Sequence, residues 1–289
     1  MRGVARALAV ALALAVAAAC SGGSNGSARK PVRGPADVAV PGDPAATAAT
    51  LARVERALRA ATTRPGEIDR LGWEQQAAYR ALTAHPGWLD RVLRRLPVDI
   101  KPVVTANAQA GRELQALGRE GTPPRHLPDW HIASPLPADV LRGYYGEAEA
   151  ASGIPWAYLA AIHLVETRLG RIQGTSSAGA QGPMQFIPAT WARYGQGDIN
   201  DDHDAILAAA RLLQANGGAG DMNRALLRYN NSSHYVAAVE SYAQVMLADE
   251  RAFLGYHGWQ VYAATMQRTF LLPEGYPSRA ARAVSRGGG

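Results

Sequence analysis

Apolar residues recur along most of the chain at intervals of three and four positions, the spacing of one buried face of an α-helix. Alanine is very frequent, and runs of β-branched residues are nearly absent. Pattern and composition together predict an all-α protein. Bounded mostly by Pro and Gly, the predicted helices are 49–59, 67–83, 88–96, 102–117, 139–151, 155–169, 188–194, 205–214, 222–229 and 234–254, and a last segment, 260–272, closes the fold.

Breaks in this pattern divide the 289-residue chain into segments. Residues 21–49 are rich in Ser, Gly, Pro and Ala and predict a flexible linker. Residues 50–120 predict a small N-terminal helical subdomain without visible chemistry, and the Pro-rich residues 121–136 predict a connector. The main domain is predicted at 137–272, and the Arg- and Gly-containing residues 273–289 predict a mobile tail.

The N-terminus has the pattern of an export signal. Arg2 and Arg6 precede an apolar run, 8–19, that is too short for a membrane span, and small residues lead to Cys20. A Cys in this position is typical of a bacterial lipoprotein, so residues 1–20 predict a lipoprotein signal peptide and Cys20 a lipidated N-terminus. The protein would then lie on the outer face of the cytoplasmic membrane. An ordinary signal peptide, giving secretion to the cell wall, is the alternative.

The net charge of +6 and the pI of about 9.7 favour polyanionic partners. The basic residues are scattered among acidic ones, so nucleic acid is not predicted as a partner. With a single cysteine, the chain can form neither an intrachain disulfide nor a cysteine-based zinc site.

No metal site or cofactor is predicted. Residues 198–204 carry carboxyl and amide groups at alternate positions, as a calcium loop does, but His203 replaces the central Gly and Ala209 the bidentate Glu. Capping of the next helix by Asp202 or Asp204 is the favoured interpretation. His163, one turn before Glu166, lacks a second such pair and is interpreted as a packed or surface residue.

One carboxylate, Glu166, lies at the C-terminal end of the otherwise apolar helix 155–169. A Gly-, Ser- and Ala-rich loop follows, and no acidic residue occurs again before Asp198. A lone carboxyl group on an apolar helix, facing a loop that permits close approach of backbone, predicts a general acid with a raised pKa. The alternative is an exposed Glu in a last helical turn.

Four short motifs around this residue resemble the signature of a known family. They are Glu166-Thr167, Gly-Ala-Gln-Gly-Pro-Met-Gln-Phe at 179–186, Pro-Ala-Thr-Trp at 188–191 and Ala-Leu-Leu-Arg-Tyr-Asn at 225–230. In this order they resemble lytic murein transglycosylases with a goose-type-lysozyme-like (SLT) domain, most closely an actinobacterial branch related to membrane-bound B-type enzymes. The resemblance covers roughly 137–255. Thr167 stands where the family usually has Ser.

The resemblance implies a lysozyme-like helical catalytic domain at 137–272. It also implies cleavage of the β-1,4 bond between N-acetylmuramic acid and N-acetylglucosamine in peptidoglycan, without water, leaving 1,6-anhydromuramoyl ends. Glu166 would act first as acid and then as base, in apolar surroundings that raise its pKa. The residues implied to bind substrate are Ser176, Met184, Gln185, Tyr229 and Asn230.

Several alternatives remain open on the sequence. The chain can be a muramidase that uses water, a non-catalytic wall-binding lipoprotein, or a basic helical scaffold for a membrane-associated assembly. Implied partners are peptidoglycan strands, the membrane through Cys20, and possible proteins of the cell-wall machinery. Phe186 and Met184 are interpreted as wall packing more readily than as substrate contacts, and Trp73 and Trp88 as core or interface residues more readily than as sugar platforms.

Overall fold

The computed structural model describes residues 34–119 and 124–284, and these are mainly helical, which confirms the predicted all-α class. Cys20, the predicted signal peptide and residues 21–33 of the predicted linker lie outside them. The helices are α1 (Pro44–Arg59), α2 (Pro65–Ala84), α3 (Leu89–Arg95), α4 (Lys101–Arg119), α5 (Ala138–Ser152), α6 (Trp156–Thr167), α7 (Pro188–Tyr194), α8 (Asp202–Ala215), α9 (Met222–Tyr229), α10 (Ser233–Ala248) and α11 (Ala252–His257). The strands are β1 (His131–Ile132), β2 (Ile172–Gln173), β3 (Val261–Ala264), β4 (Thr269–Leu272) and β5 (Arg282–Ala283).

The first helix begins inside the predicted linker 21–49. The Asp43 carboxylate accepts hydrogen bonds from the backbone N–H groups of Ala45 and Ala46, at 2.7 and 2.8 Å, and Pro44 occupies the first turn. An N-cap of this kind satisfies donors that a helix start leaves unpaired. The linker prediction is therefore wrong for its last residues, which are helical from Pro44.

The predicted helix 234–254 is two helices. Ser232 caps α10, as one of the two predicted alternatives, but the helix ends at Ala248. Asp249 is extended, with φ −156° and ψ 110°, and its carboxylate accepts the N–H of Arg251 at 2.9 Å just before α11. Asp favours such local side-chain-to-backbone bonds over a continuous helix.

The N-terminal helices share a hydrophobic core with the main domain. α4 packs along α10 and α2 packs along α11, and one cluster of buried side chains runs through these layers. Polar contacts join them as well. Tyr256 donates to Asn107 Oδ1 at 2.8 Å, and Gln76 exchanges two hydrogen bonds of 2.9 and 2.8 Å with the backbone of Gln260.

Close packing of α2 on α11 depends on Gly72. A Cβ atom at this position would lie 2.6 Å from the carbonyl oxygen of Gly255 and 3.1 Å from Cα of Gly258. Real Cβ atoms do not approach backbone this closely, so the glycine sets the distance between the two helices. This fixes how the N-terminal helices lie against the end of the main domain.

The C-terminal segment forms a small antiparallel sheet, in the order β3-β4-β5, that the sequence did not predict. The predicted mobile tail 273–289 is wrong for residues 273–284. β5 pairs with β4, and Tyr276 donates from its hydroxyl to the Pro128 carbonyl at 3.0 Å. Backbone bonds of 3.0 and 2.8 Å also tie Tyr276 and Gly275 to Ile132 of β1. These bonds hold the segment against the body of the protein.

Helix α6 lies at the centre of the fold, packed by α5, α8 and α10. All of its residues except Tyr158 are buried. A helix that is apolar on every side belongs in a core, and the polar groups it carries there need partners. Those partners define the site described next. Along the described part of the chain, no helix is long and apolar enough to cross a membrane.

Candidate active site

The carboxyl group of Glu166 lies in the last turn of α6, where the residue is only 5% exposed. Its Oε1 accepts a hydrogen bond of 2.8 Å from the hydroxyl of Tyr235, a fully buried residue in the first turn of α10. Burial raises the pKa of Glu166 from its ordinary value of 4.5 to about 7, and the Tyr235 hydrogen bond lowers it in part. The prediction of a raised pKa is confirmed, and the alternative of an exposed Glu is wrong.

No second carboxylate within the described ranges contributes to this pKa. Burial penalises the charged form, and the tyrosine hydroxyl stabilises it by donating to it. The two effects leave a group that is about half ionised near neutral pH, so that both protonation states are accessible without a large free-energy cost.

The backbone after Glu166 turns sharply. Arg168, Leu169 and Gly170 have φ values of 57, 61 and 78°, in the left-handed region that residues with a side chain rarely adopt. The Thr167 hydroxyl accepts the N–H of Gly170 at 3.0 Å and donates to the Pro183 carbonyl at 2.6 Å. A strained turn persists only where neighbouring contacts stabilise it. Here the two hydrogen bonds of Thr167 join the turn to the loop that contains Pro183.

Ser176 organises the loop. Its hydroxyl accepts the N–H groups of Ala178 and Ala180 at 3.2 and 3.0 Å. Further on, Gly182 has φ 73°, and a Cβ atom there would lie 1.8 Å from the Ile199 carbonyl oxygen. Only glycine fits position 182, which explains the second Gly of the 179–186 motif.

The predicted substrate-binding residues Met184 and Gln185 occupy different surroundings. The Met184 side chain is fully buried in the core. Gln185 is partly exposed and has φ 50°. Its Nε2 donates to the Gly182 carbonyl at 2.9 Å, while its Oε1 has no partner among the described residues.

An aromatic wall connects this loop to Glu166. Tyr229 donates from its hydroxyl to the Met184 carbonyl at 2.6 Å. Its ring lies nearly parallel to that of Tyr235, at 7° and a centroid distance of 6.3 Å. The ring of Phe186 lies 6.0 Å from that of Tyr229, and Phe186 is buried as predicted for wall packing. Tyr229 is thus linked to Glu166 through Tyr235 and to the loop through Met184.

Asn230 follows α9, and its backbone N–H donates to Leu226 at 2.9 Å. Its side chain forms no hydrogen bond to the residues that the structure describes. Neither Asn230 nor Ser176 is hydrogen-bonded to Glu166 in those residues. Of the predicted site residues, the geometry therefore links Tyr229 to Glu166 through Tyr235 and to Met184 by a hydrogen bond, and it links Gln185 through the loop.

Tyr235 is the residue that the sequence reasoning missed. Two signals pointed to its place: Ser232 caps α10, which puts Tyr235 in the first turn, and the Tyr229-Asn230 motif lies just before it. The contact with Glu166 bridges 69 positions of sequence, so no local pattern could show it.

The 198–204 region differs from the prediction in its cap. Asp201, rather than Asp202 or Asp204, caps α8 by accepting the N–H of Asp204 at 3.0 Å. Asp202 instead places Oδ1 at 3.2 Å from Nε2 of His163, which is fully buried, as the packed-residue interpretation expected. The other imidazole nitrogen of His163 contacts the hydroxyl of Tyr145 at 2.8 Å.

Ligand atoms of Asp201, His203 and Asp204 lie within 4.8 Å of one another, which a metal ion could use. Local contacts already engage them. Asp204 accepts the N–H of Asp198 at 2.8 Å, Asp201 caps the helix, and His203 contacts Glu147 at 2.9 Å. We assign no metal to this cluster.

The hydrogen bond between Tyr235 and Glu166 makes a first prediction. Tyr235→Phe removes a donor to the carboxylate, so the pKa of Glu166 rises above its value in the unchanged protein. If protonated Glu166 is the active form, the decline of activity with rising pH moves to higher pH. The measurement is the pH dependence of glycan cleavage, together with an NMR titration of labelled Glu carboxyl carbons.

Tyr229→Phe is the matched control, because its hydroxyl binds the Met184 carbonyl and not Glu166. It should leave the pKa of Glu166 close to the unchanged value. A Tyr235→Phe profile that moves to lower pH would contradict the role assigned to the hydrogen bond.

Fold and site define a helical protein with a buried carboxyl group of raised pKa at the end of its central helix. Comparison with known proteins agrees with this class. Residues 143–250 match the Transglycosylase SLT domain family, the family that the four sequence motifs resemble. This range includes Glu166, the 179–186 loop and both tyrosines.

A stretch of 90 residues is 36% identical to the membrane-bound lytic murein transglycosylase F of Thiobacillus denitrificans. The match covers 31% of this chain and 17% of that protein. The chain therefore aligns with only a small part of this relative. No solved structure matches the chain.

Proposed function

We propose that the protein is a lytic transglycosylase that cleaves the β-1,4 bond between N-acetylmuramic acid and N-acetylglucosamine in peptidoglycan. The observation that carries the proposal is Glu166: a buried carboxyl group with a pKa of about 7 and a tyrosine donor, inside an SLT domain. A general acid is most effective when its pKa lies near the working pH.

In the proposed reaction, protonated Glu166 donates its proton to the glycosidic oxygen as the bond from that oxygen to C1 breaks. The resulting carboxylate takes the proton of the muramoyl C6 hydroxyl, whose oxygen forms the new bond to C1. The product carries a 1,6-anhydro ring, no water is consumed, and Glu166 is protonated again. A single carboxyl group suffices, in contrast to glycosidases that flank the bond with two.

The contacts of the predicted binding residues refine their proposed roles. We assign hydrogen bonding to substrate amide or hydroxyl groups to Gln185 and Asn230, since neither side chain has all its partners within the described residues. Ser176 shapes the loop through its two backbone bonds. The side chain of Met184 packs in the core behind the aromatic wall, and its carbonyl accepts the hydrogen bond from Tyr229.

We further propose that the protein works outside the cytoplasmic membrane, anchored through a lipidated Cys20. The N-terminal sequence supports this, and the relative is named as membrane-bound. A pI of about 9.7 suits an anionic cell-wall polymer.

Mass spectrometry of the muropeptides released from purified peptidoglycan by residues 21–289 tests the proposal. Anhydro-muropeptides from this protein, absent with Glu166→Gln, are the expected result. Reducing-end products that the substitution abolishes would keep Glu166 as the acid but make the protein a hydrolytic muramidase. Glycan binding without release from either protein would indicate a wall-binding module.

A further inference from the structure

A concave site lies apart from Glu166. We call it the C-terminal cavity. It measures about 970 Å³ and lies between α2, the end of α11 and the segment 271–282. This volume is in the range of small-ligand sites. Glu166 and the loop 176–186 are not among the residues that line it. The side chains that matter for its chemistry are Asp69, Trp73, Arg171, Glu274, Arg279 and Arg282.

The guanidinium of Arg171 is the most buried charge in this lining. The residue is 8% exposed, and its Nη2 donates to the His257 carbonyl at 3.0 Å. Its Nε has no hydrogen-bond partner in the described residues. Burial lowers the pKa of Arg171 to about 10, while the nearby carboxylates of Asp69 and Glu274 raise it in part, and the group stays cationic at neutral pH. A buried cation with unused donors favours an anionic acceptor beside it.

The lining carries charges of both signs. Three arginines, at 171, 279 and 282, face three carboxylates, at 37, 69 and 274. Within the described ranges, Asp69 and Arg282 form no ion pair at contact distance, although the charge of Asp69 acts on Arg171. Glu274 accepts a hydrogen bond of 2.6 Å from Ser134. A polyanion would be attracted by the arginines but repelled by the carboxylates, so balanced charges favour a ligand that carries both signs.

The cavity also has an apolar face. Trp73, on α2, is partly exposed and contributes its ring to the lining. An indole ring offers a rigid, flat surface to aliphatic groups at little cost in conformational entropy. The site thus combines cationic, anionic and apolar surfaces within one cleft.

We propose that the C-terminal cavity binds a short zwitterionic peptide, with its carboxylate at Arg171 and Arg282, its ammonium group at Asp69 and its aliphatic part on Trp73. Peptides of this kind branch from the glycan of the proposed substrate, and the choice of ligand rests on the proposed function. Binding itself does not involve Glu166.

Isothermal titration calorimetry of residues 21–289 carrying Glu166→Gln, with the tripeptide L-alanyl-γ-D-glutamyl-meso-diaminopimelic acid as probe, tests the proposal. Arg282→Gln and Asp69→Asn are the informative variants, since both residues are exposed and neither substitution should disturb folding. Each is expected to weaken binding about tenfold or more, the loss that follows from one charge-assisted contact. Arg94→Gln removes an exposed charge from α3, outside the cavity, and should have no effect.

A chemically blocked probe checks the charge requirement. The same peptide acetylated on both of its amino groups should bind about as weakly to the unchanged cavity as the free peptide does to Asp69→Asn. Equal binding of the free and acetylated peptides would show that the ammonium charge is not recognised. It would overturn the proposal of a zwitterionic ligand and indicate a simple anion site. Binding that is insensitive to Arg282→Gln and Asp69→Asn but lost in Gln185→Ala would place the peptide beside the loop that carries Gln185 and overturn the proposal. A complete lack of binding would overturn it too.

The two proposals fail in different ways. If the protein is not a lytic enzyme, no anhydro-muropeptides appear, whatever the calorimetry shows. If the cavity proposal is wrong, muropeptide release remains normal and only the cavity-dependent binding is missing.

Discussion

Glu166→Gln is expected to lower the rate of glycan cleavage by about 10²–10⁴-fold, the usual contribution of a positioned general acid. Glutamine has nearly the same shape and can accept the Tyr235 hydrogen bond through its amide oxygen, but it has no proton to give to the glycosidic oxygen. The loss should appear in kcat, with glycan binding largely retained, because the proton is transferred only in the transition state.

Single-turnover cleavage of a defined glycan oligomer, with binding measured in parallel, provides the test. Glu67→Gln is the matched control: it makes the same chemical change at a partly exposed position on α2 and should leave the rate unchanged. A Glu166→Gln rate within a factor of a few of the unchanged protein would remove Glu166 from the proposed mechanism, even if the products were anhydro-muropeptides.

The positions and ends of helices could be predicted where the residues that determine them lie close together in the sequence. Asp221 caps α9 and Ser232 caps α10, as expected. Each of these caps involves residues within three positions of each other, so a short stretch of sequence contains the whole interaction. The raised pKa of Glu166 could be predicted for a similar reason, because the apolar character of α6 is visible in its own residues.

Contacts between segments that are far apart in the chain could not be predicted from the sequence. Tyr235 reaches Glu166 across 69 positions, and Gln76 reaches Gln260 across 184. The strands of the C-terminal sheet are only two to four residues long and mostly buried, so they show no alternating pattern to distinguish them from a helix end. The same long-range packing places Trp73 beside the C-terminal cavity, which no local pattern indicated.

Glu166→Gln is also expected to stabilise the protein above neutral pH. The unfolded chain releases the Glu166 proton near the ordinary pKa of 4.5, whereas the folded protein keeps it up to about 7. Between these values the folded state binds more protons than the unfolded state, so stability falls as pH rises through this window and the full cost remains above it. With 1.36 kcal/mol for each pKa unit, the cost is about 3 kcal/mol.

Glutamine is neutral at every pH and avoids this cost. The free energy of unfolding of Glu166→Gln, measured by urea titration, should therefore exceed that of the unchanged protein by about 3 kcal/mol more at pH 8 than at pH 4. Glu67→Gln should show no such pH-dependent difference. If the effect of Glu166→Gln were the same at both pH values, the pKa of Glu166 would not be raised in the folded protein. Burying a carboxyl group costs stability, and a protein accepts this cost where the group is needed for its chemistry. Replacing Glu166 should therefore raise stability while lowering activity.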